Sequence, residues 1–439
     1  MPRHLAAVVM AAGLGTRMRS ATPKHLHPLL GRRVVDWVLA AARTLDPEHL
    51  VVVVSPGTEH AYEGAEIAVQ REPRGTGDAA ASAQAVLEDF DGDVVVLSGD
   101  SPLLTAEILG DLLDAHVRER ADVTVLSFEP SQPLPYGRVV RGPDGLLARI
   151  VEERDAGPEE LAIRELNTST YVFRAPALWP ALAAIDTDNA QGELYLTDAV
   201  GGIVASGGRA AVHRCVDELA PMGVNTRADL ALAAAELRDR INEAHMLAGV
   251  TIVDPATTWI EARVELEPDV VVRPFTELRG ETRIGTGAQV GSHVVAEDAV
   301  IGPGALVGPF CYLRPGTVLE AQAKAGTFVE IKNSRIGKRS KVPHLSYVGD
   351  ADVGDDTNIA AGNVTANFGH RPGPKKRTSI GRNVKTGVDN TFVAPVTVAD
   401  DAWIWPGTVV TDDVPEGSLA GFPPRQITKE GYVYRDGNE

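Results

Sequence analysis

The hydrophobic rhythm of the chain changes twice. In the N-terminal part, apolar runs rich in β-branched residues recur at Ala6–Met10, Leu50–Val54, Asp93–Leu97 and Ala121–Leu126, with a weaker run at Ala65–Val69. Strands alternating with helix-length stretches predict a parallel sheet in a layered α/β domain. From Ala228 to Leu247 the chain is rich in Ala, Leu, Glu and Arg and holds no glycine or proline, which predicts one long helix. Twenty residues at 1.5 Å rise would span ~30 Å, the length of a rigid spacer. Beyond Val250 aliphatic residues recur every six positions. Val295, Ile301, Val307, Leu313 and Leu319 form one such run, and Ile380, Thr386, Phe392, Val398, Ile404 and Val410 another with one polar interruption. That stride predicts a parallel β-helix of hexapeptide repeats. Between the runs, from Lys324 to Lys376, the stride slips repeatedly, and irregularity inside a repeat is where loops and function gather. The expected organisation is a domain over 1–225, a connecting helix over 226–247 and a solenoid over 248–439.

Composition narrows the class of partner. A length of 439 residues exceeds one ordinary core, and 44% hydrophobic residues suffice for globular folding. The net charge of −18 argues against nucleic acid and gives no support for an anionic membrane surface, so any anionic ligand needs a local cationic cluster. Cys215 and Cys311 have no partnering pattern, which fits a reducing compartment rather than a disulfide framework or zinc site. No segment reaches the ~18 apolar residues of a membrane span, and no signal-like stretch is visible at the N-terminus. A soluble cytoplasmic protein is expected.

Candidate chemistry begins where the first apolar run ends, at Ala11-Ala12-Gly13-Leu14-Gly15-Thr16-Arg17-Met18, with Lys24 a few residues on. A buried strand feeding a glycine turn beside two cations suits a phosphate chain, because bare backbone can approach the ligand with its N–H groups exposed. Two commoner phosphate loops do not fit. A dinucleotide fingerprint needs a third glycine where Met18 stands, and a Walker loop needs Lys-Ser/Thr directly after its last glycine. After the run ending at Leu97 comes Ser98-Gly99-Asp100, where an aspartate can hold magnesium over phosphates or simply cap a turn. Asn225, before Thr226-Arg227, reads on its own as a helix N-cap.

The motif Ala11–Met18 followed by Pro23-Lys24 resembles the signature of sugar-1-phosphate nucleotidyltransferases. With the hexapeptide array, the whole chain resembles the bacterial bifunctional N-acetylglucosamine-1-phosphate uridyltransferase and glucosamine-1-phosphate acetyltransferase family. The resemblance implies a Rossmann-like nucleotidyltransferase domain, a linker helix and a left-handed parallel β-helix assembled as a homotrimer, with acyl-transfer sites between neighbouring β-helices. It implies Arg17 and Lys24 as catalytic cations and Asp100 and Asn225 as Mg2+ ligands. Ala11, Ala12, Gly13, Gln70, Gly75, Thr76, Ser98 and Gly99 would bind UTP, with Gln70, Gly75 and Thr76 reading uracil. Gly137, Glu152 and Asn167 would hold the sugar of N-acetylglucosamine-1-phosphate. Asp78 stands where relatives carry His, and Ser169 where they carry Gly.

For the second half, the resemblance makes His344, in Pro343-His344-Leu345-Ser346-Tyr347, the proton acceptor of acetyl transfer. An imidazole oriented by an acidic group suits removal of a proton from an attacking amine. Arg314, Lys332, Tyr347, Asn358 and Lys375 would bind glucosamine-1-phosphate, although the loop Gly369–Lys376 is about two residues longer than in relatives. On the acetyl-CoA side Ala361 and Asn367 match. Phe368 replaces a Tyr, Val388 a Ser and Pro406 a small residue, while Phe422 takes the place of an Arg, with Arg425 a nearby cation. The expected product is UDP-N-acetylglucosamine, by acetyl transfer and then uridylyl transfer. Two alternatives stay open at this stage: a nucleotidyltransferase whose β-helix is a scaffold or moves another acyl group, and a non-catalytic sugar-nucleotide sensor.

Overall fold

The computed structural model describes residues 4–13, 15–369, 373–421, 426–430 and 432–434. The chain divides into two compact units, Met1–Leu237 and Arg238–Glu439, and the division falls inside the helix Arg227–Leu247.

The first unit is built on a mixed sheet. Its strands run, edge to edge, Ala210–Arg214, Val123–Phe128, Leu166–Arg174, Asp93–Ser98, Leu5–Ala11, His49–Val54 and Glu66–Val69. Period-two alternation sends the central strands into two cores at once. Ala6, Val8, Val51, Val53, Val94 and Val96 enter one, and Ala7, Val9, Val52, Val54, Val95 and Leu97 the other. Both faces are covered, which is why these strands read as continuous apolar runs. The sheet departs from the all-parallel expectation at Leu166–Arg174, which is antiparallel to both neighbours. The chain reaches it from the hairpin Arg138–Arg141/Leu147–Val151 and so enters the sheet from the opposite end. The run anticipated at Ala121–Leu126 begins as strand only at Val123. Ala121 still closes the preceding helix, its N–H bonded to His116 O at 3.2 Å behind the left-handed Arg120.

The second unit is a left-handed β-helix with three parallel sheets on its flanks. Val271 pairs with Gln289 eighteen positions on, the length of three hexapeptides. Ile260, Leu278, Leu313, Ile331 and Ile336 fill the interior, and buried Thr276, Thr282 and Thr317 satisfy their hydroxyls on backbone carbonyls at the corners. The second hexapeptide run is buried throughout, Thr386 included, its Oγ1 accepting from Ala360 N at 2.9 Å. The first run needs one correction: Val295 faces outward, and Val294 and Ala296 take the interior. Val294 pairs with Cys311 seventeen positions on, so this coil is one residue short and the inward position moves by one. The stretch expected to be irregular keeps its parallel pairing while the stride slips: Lys324 pairs with Lys341, Glu330 with Tyr347 and Arg335 with Asp352, each seventeen positions on. Its largest break is where Val364 pairs with Thr391 and Asp352 with Ser379, steps nine residues longer than eighteen.

Candidate active sites

The open carboxyl ends of Leu5–Ala11, Glu66–Val69 and Asp93–Ser98 border a cleft of about 390 Å3. Ligands bind at such strand ends in open α/β sheets because helices leave a crevice there. Ala11, Ala12, Gly13, Lys24, Gln70, Gly75, Thr76, Ser98, Gly99 and Asp100 all line it. Gly15 turns the loop at φ 61°, where a Cβ would lie 2.7 Å from Lys24 Cβ, so only glycine lets the lysine fold back over the strand end.

Lys24 Nζ pairs with Asp100 Oδ2 and also donates to Asn225 Oδ1 at 3.2 Å. Ser98 Oγ donates to the other Asp100 oxygen at 2.6 Å, and Arg17 Nη2 donates to Asn225 Oδ1 at 2.9 Å. Burial works to raise the Asp100 carboxyl, but the Lys24 ammonium and the Ser98 hydroxyl outweigh it and hold it below the ordinary value. Asn225 is not the helix cap that its position suggested. Thr226 Oγ1 accepts from Asp229 N at 3.2 Å and Asp229 accepts from Thr226 N at 2.8 Å, a reciprocal cap that frees the Asn225 side chain to meet Lys24 and Arg17. Two oxygen donors of the hard type therefore converge on one cation, an arrangement that fits magnesium with few protein ligands.

The base end is more committed than the sequence suggested. Gln70 was expected to offer a donor and an acceptor together, yet its Nε2 is spent on Gly75 O at 3.0 Å and Asp78 Oδ2 at 2.9 Å. Gly75 adopts φ 120°, where a Cβ would meet Leu194 O at 2.4 Å, and Thr76 Oγ1 accepts from Leu196 N at 3.0 Å. Sequence reasoning missed His25, which is buried in this cleft beside Lys24 with both ring nitrogens unpartnered. Its one signal was its place next to Pro23-Lys24.

The three sugar candidates are not in that cleft. Asn167 N donates to Gly137 O at 2.8 Å and its Nδ2 to Tyr171 Oη at 2.7 Å, while Glu152 lines a second pocket of about 340 Å3 with Asp155, Tyr195 and Thr197. Burial pushes the Glu152 carboxyl up, and the bond from Thr197 Oγ1 at 3.1 Å only partly offsets it.

On the β-helix, Tyr312, Glu330, Tyr347 and Val364 are register partners on one flank. Arg314 Nη1 donates to Glu330 Oε1 at 2.8 Å. Lys332 and Lys375 lie together, and hydrogen bonding and charge from Lys375 lower the Lys332 ammonium below the ordinary lysine value. Lys375 Nζ is 4.0 Å from Asp350 Oδ2, and Asp350 also accepts from Asn367 Nδ2 and, at 2.6 Å, from Asn333 Nδ2. Asp350, six residues after His344, thus organises this cationic cluster. Asn358 lies on another flank, bridging Lys341 and Lys385. His344 is exposed, and no side-chain bond holds its ring among the described residues. Phe368 is 84% exposed, Ala361 O accepts from Asp389 N at 2.9 Å, Val388 O from Gly407 N at 2.8 Å, and Pro406 covers Gly387. Phe422 and Arg425 lie outside the described residues, as do Leu14 and residues 370–372 of the long loop.

Fold and site together define a nucleotidyltransferase domain joined to a hexapeptide-repeat β-helix. Residues 7–195 match the MobA-like NTP transferase domain. Nearly the whole chain is similar to curated bifunctional GlmU proteins. It is 46% identical to that of Mycolicibacterium gilvum, over 98% of this chain and 92% of that protein. It is 47% identical to that of Streptomyces coelicolor, over 99% and 95%, and 48% identical to that of Kineococcus radiotolerans, over 98% and 91%. The chain belongs to the bifunctional GlmU family. It is a sugar-1-phosphate uridyltransferase and amino-sugar N-acetyltransferase that makes UDP-N-acetylglucosamine in two steps. No described helix is long and apolar enough to cross a membrane.

Proposed function

We infer that the cleft at the strand ends takes UTP and N-acetylglucosamine-1-phosphate, and that the β-helix flank takes glucosamine-1-phosphate and acetyl-CoA. The observation that carries the first assignment is the convergence of Asp100 and Asn225 on the Lys24 ammonium beside a glycine loop. The sugar phosphate oxygen attacks the α-phosphorus in line and pyrophosphate leaves. The nucleophile is already an anion, so no general base is required, and positioning with charge neutralisation carries the rate. Arg17 and Lys24 exchange their bonds to Asn225 and Asp100 for the triphosphate. Asp100 and Asn225 would hold Mg2+, which neutralises phosphate charge when bound. The sugar would reach past the lining of that cleft, where Gly137, Glu152 and Asn167 would orient it.

In the β-helix the paired Lys332 and Lys375, with Arg314 and Tyr347, suit the phosphate and hydroxyls of glucosamine-1-phosphate. His344 accepts the amine proton as nitrogen attacks the thioester carbonyl and the thiol leaves. Ala361, Asn367, Phe368, Val388 and Pro406 form the acetyl-CoA side. A homotrimer is supported by two observations. Asn358 stands on a different flank from Lys332 and Tyr347, so one protomer divides the ligand set. Phe275, His293, Phe310 and Phe328 stack along an exposed edge, with centroids 4.9, 4.7 and 5.2 Å apart. The test is a one-pot assay with glucosamine-1-phosphate, acetyl-CoA, UTP and Mg2+, following thiol and pyrophosphate separately. The assignment fails if Arg17→Ala, Lys24→Ala and Asp100→Ala all leave pyrophosphate release unchanged.

A further inference from the structure

Asp78 stands where the resemblance implies a histidine, and its surroundings give it a task. The end of the strand Glu66–Val69 fixes the Gln70 backbone through Gln70 N to Val54 O at 2.9 Å. At the other end of the side chain, Nε2 donates to Gly75 O at 3.0 Å and to Asp78 Oδ2 at 2.9 Å. Both partners are obligate acceptors, a carbonyl and a carboxylate, so only the NH2 side of the amide can face them. Arg74 Nη2 holds the remaining Asp78 oxygen at 2.7 Å, and the Asp78 side chain is only 14% exposed. Gln70 Oε1 is left with no hydrogen bond among the described residues, in a side chain that lines the cleft. The neighbouring Gly75 N–H likewise has no acceptor among the described residues. The cleft therefore presents an acceptor beside a donor. Uracil matches it with N3–H and a carbonyl, whereas cytosine carries an acceptor at N3 and an amino group at C4.

We propose that Asp78 is a positioning residue that locks the Gln70 amide with Oε1 toward the base, and so selects a pyrimidine bearing N3–H over cytosine. This rests on reading the cleft as the UTP site. With asparagine at the position, either an oxygen or an NH2 would face Gln70, leaving Gly75 O alone to hold the amide and so weakening the lock. Uracil and thymine share the N3–H edge, so the device separates neither from the other.

The test uses the full chain with N-acetylglucosamine-1-phosphate and Mg2+, and compares kcat/KM for UTP and CTP in Asp78→Asn, Asp78→Glu and Gln70→Ala. The readout is the UTP/CTP ratio, which is insensitive to the active fraction because both nucleotides meet the same preparation. Asp78→Asn should lower the ratio about tenfold, through KM rather than kcat, an effect of the size of one misdirected hydrogen bond. Asp78→Glu, which keeps an obligate acceptor, should stay near the parent. If Gln70→Ala raises the KM for UTP but Asp78→Asn leaves the ratio unchanged, Asp78 does not set the amide and the proposal is overturned while the base site stands. If Gln70→Ala changes neither the KM for UTP nor the ratio, the reading of this cleft as the base site falls instead, and the proposal with it.

Discussion

Arg17 Nη2 donates to Asn225 Oδ1 at 2.9 Å, joining two residues 208 positions apart. The same oxygen accepts from Lys24 at 3.2 Å, and Lys24 in turn pairs with Asp100. Cations from the first loop therefore hold both proposed metal ligands in register. The Lys24 and Asp100 side chains are 18% and 9% exposed, so removing one leaves the other charged and poorly hydrated. Asp100→Ala should abolish pyrophosphate release and cost the first unit about 3 kcal/mol, the usual size for breaking a buried pair. Thiol release by the β-helix should persist. Isothermal titration with Mg2+ or Mn2+ in the presence of UTP should show binding lost in Asp100→Ala and weakened in Asn225→Ala.

His25 predicts a pH dependence. Burial lowers its pKa from 6.5 to about 4, and the Lys24 charge adds to the effect. The folded state therefore keeps the ring neutral while the unfolded chain takes up a proton below pH 6.5. The stability is fully present above 6.5, is lost as pH falls from 6.5 toward 4, and the loss levels off below that. Two to three pKa units correspond to about 3 kcal/mol. His25→Leu should flatten this part of the stability curve. Urea unfolding of the full chain at pH 7, 5.5 and 4.5, read on the transition that UTP and Mg2+ shift upward, checks it. An unchanged slope in His25→Leu would remove His25 as the cause.

Both cysteines should be silent in a thiol assay. Burial pushes the Cys311 thiol up to about 12, and its Sγ donates to Val329 O at 3.1 Å; burial also raises Cys215. The thiolate is the reactive form, so neither residue should react with a disulfide reagent in the native state. Native protein should show no label over the course of an assay, with two equivalents appearing on unfolding. Thiol counted in turnover then comes from the acyl donor alone.

The elements legible in the sequence were those whose side chains repeat a simple rule. The strand ending at Ala11 announces itself because alternate residues feed two apolar cores. The solenoid does so because its inward position returns every sixth residue. Leu166–Arg174 was missed because Asn167, Thr168, Ser169 and Thr170 interrupt its apolar pattern, and its antiparallel sense depends on where the preceding hairpin leaves the chain. Val295 misled because a one-residue deletion moves the inward position without changing composition. In the site, the glycine loop, Lys24 and Asp100 were readable as a motif. The roles of Asp78 and Asp350 were not, since each acts by receiving an amide donor from a residue distant in the coil or loop.

The last expectation concerns the proton acceptor of acetyl transfer. His344 is exposed, and its ring has no side-chain bond among the described residues, so removing it leaves no buried group stranded and little packing is lost. His344→Ala should therefore fold with a melting temperature close to the parent, unlike Asp100→Ala. Its thiol release should fall by a factor of about 100 to 10,000, the range that a positioned general base supplies. Pyrophosphate release from glucosamine-1-phosphate should fall with it, because the acetylated sugar phosphate no longer forms. Adding N-acetylglucosamine-1-phosphate should restore pyrophosphate release in full, since the residues of the uridylyl site are untouched. Loss of pyrophosphate release even with that addition would mean that the two reactions are coupled through the protein, and full thiol release would place the base elsewhere.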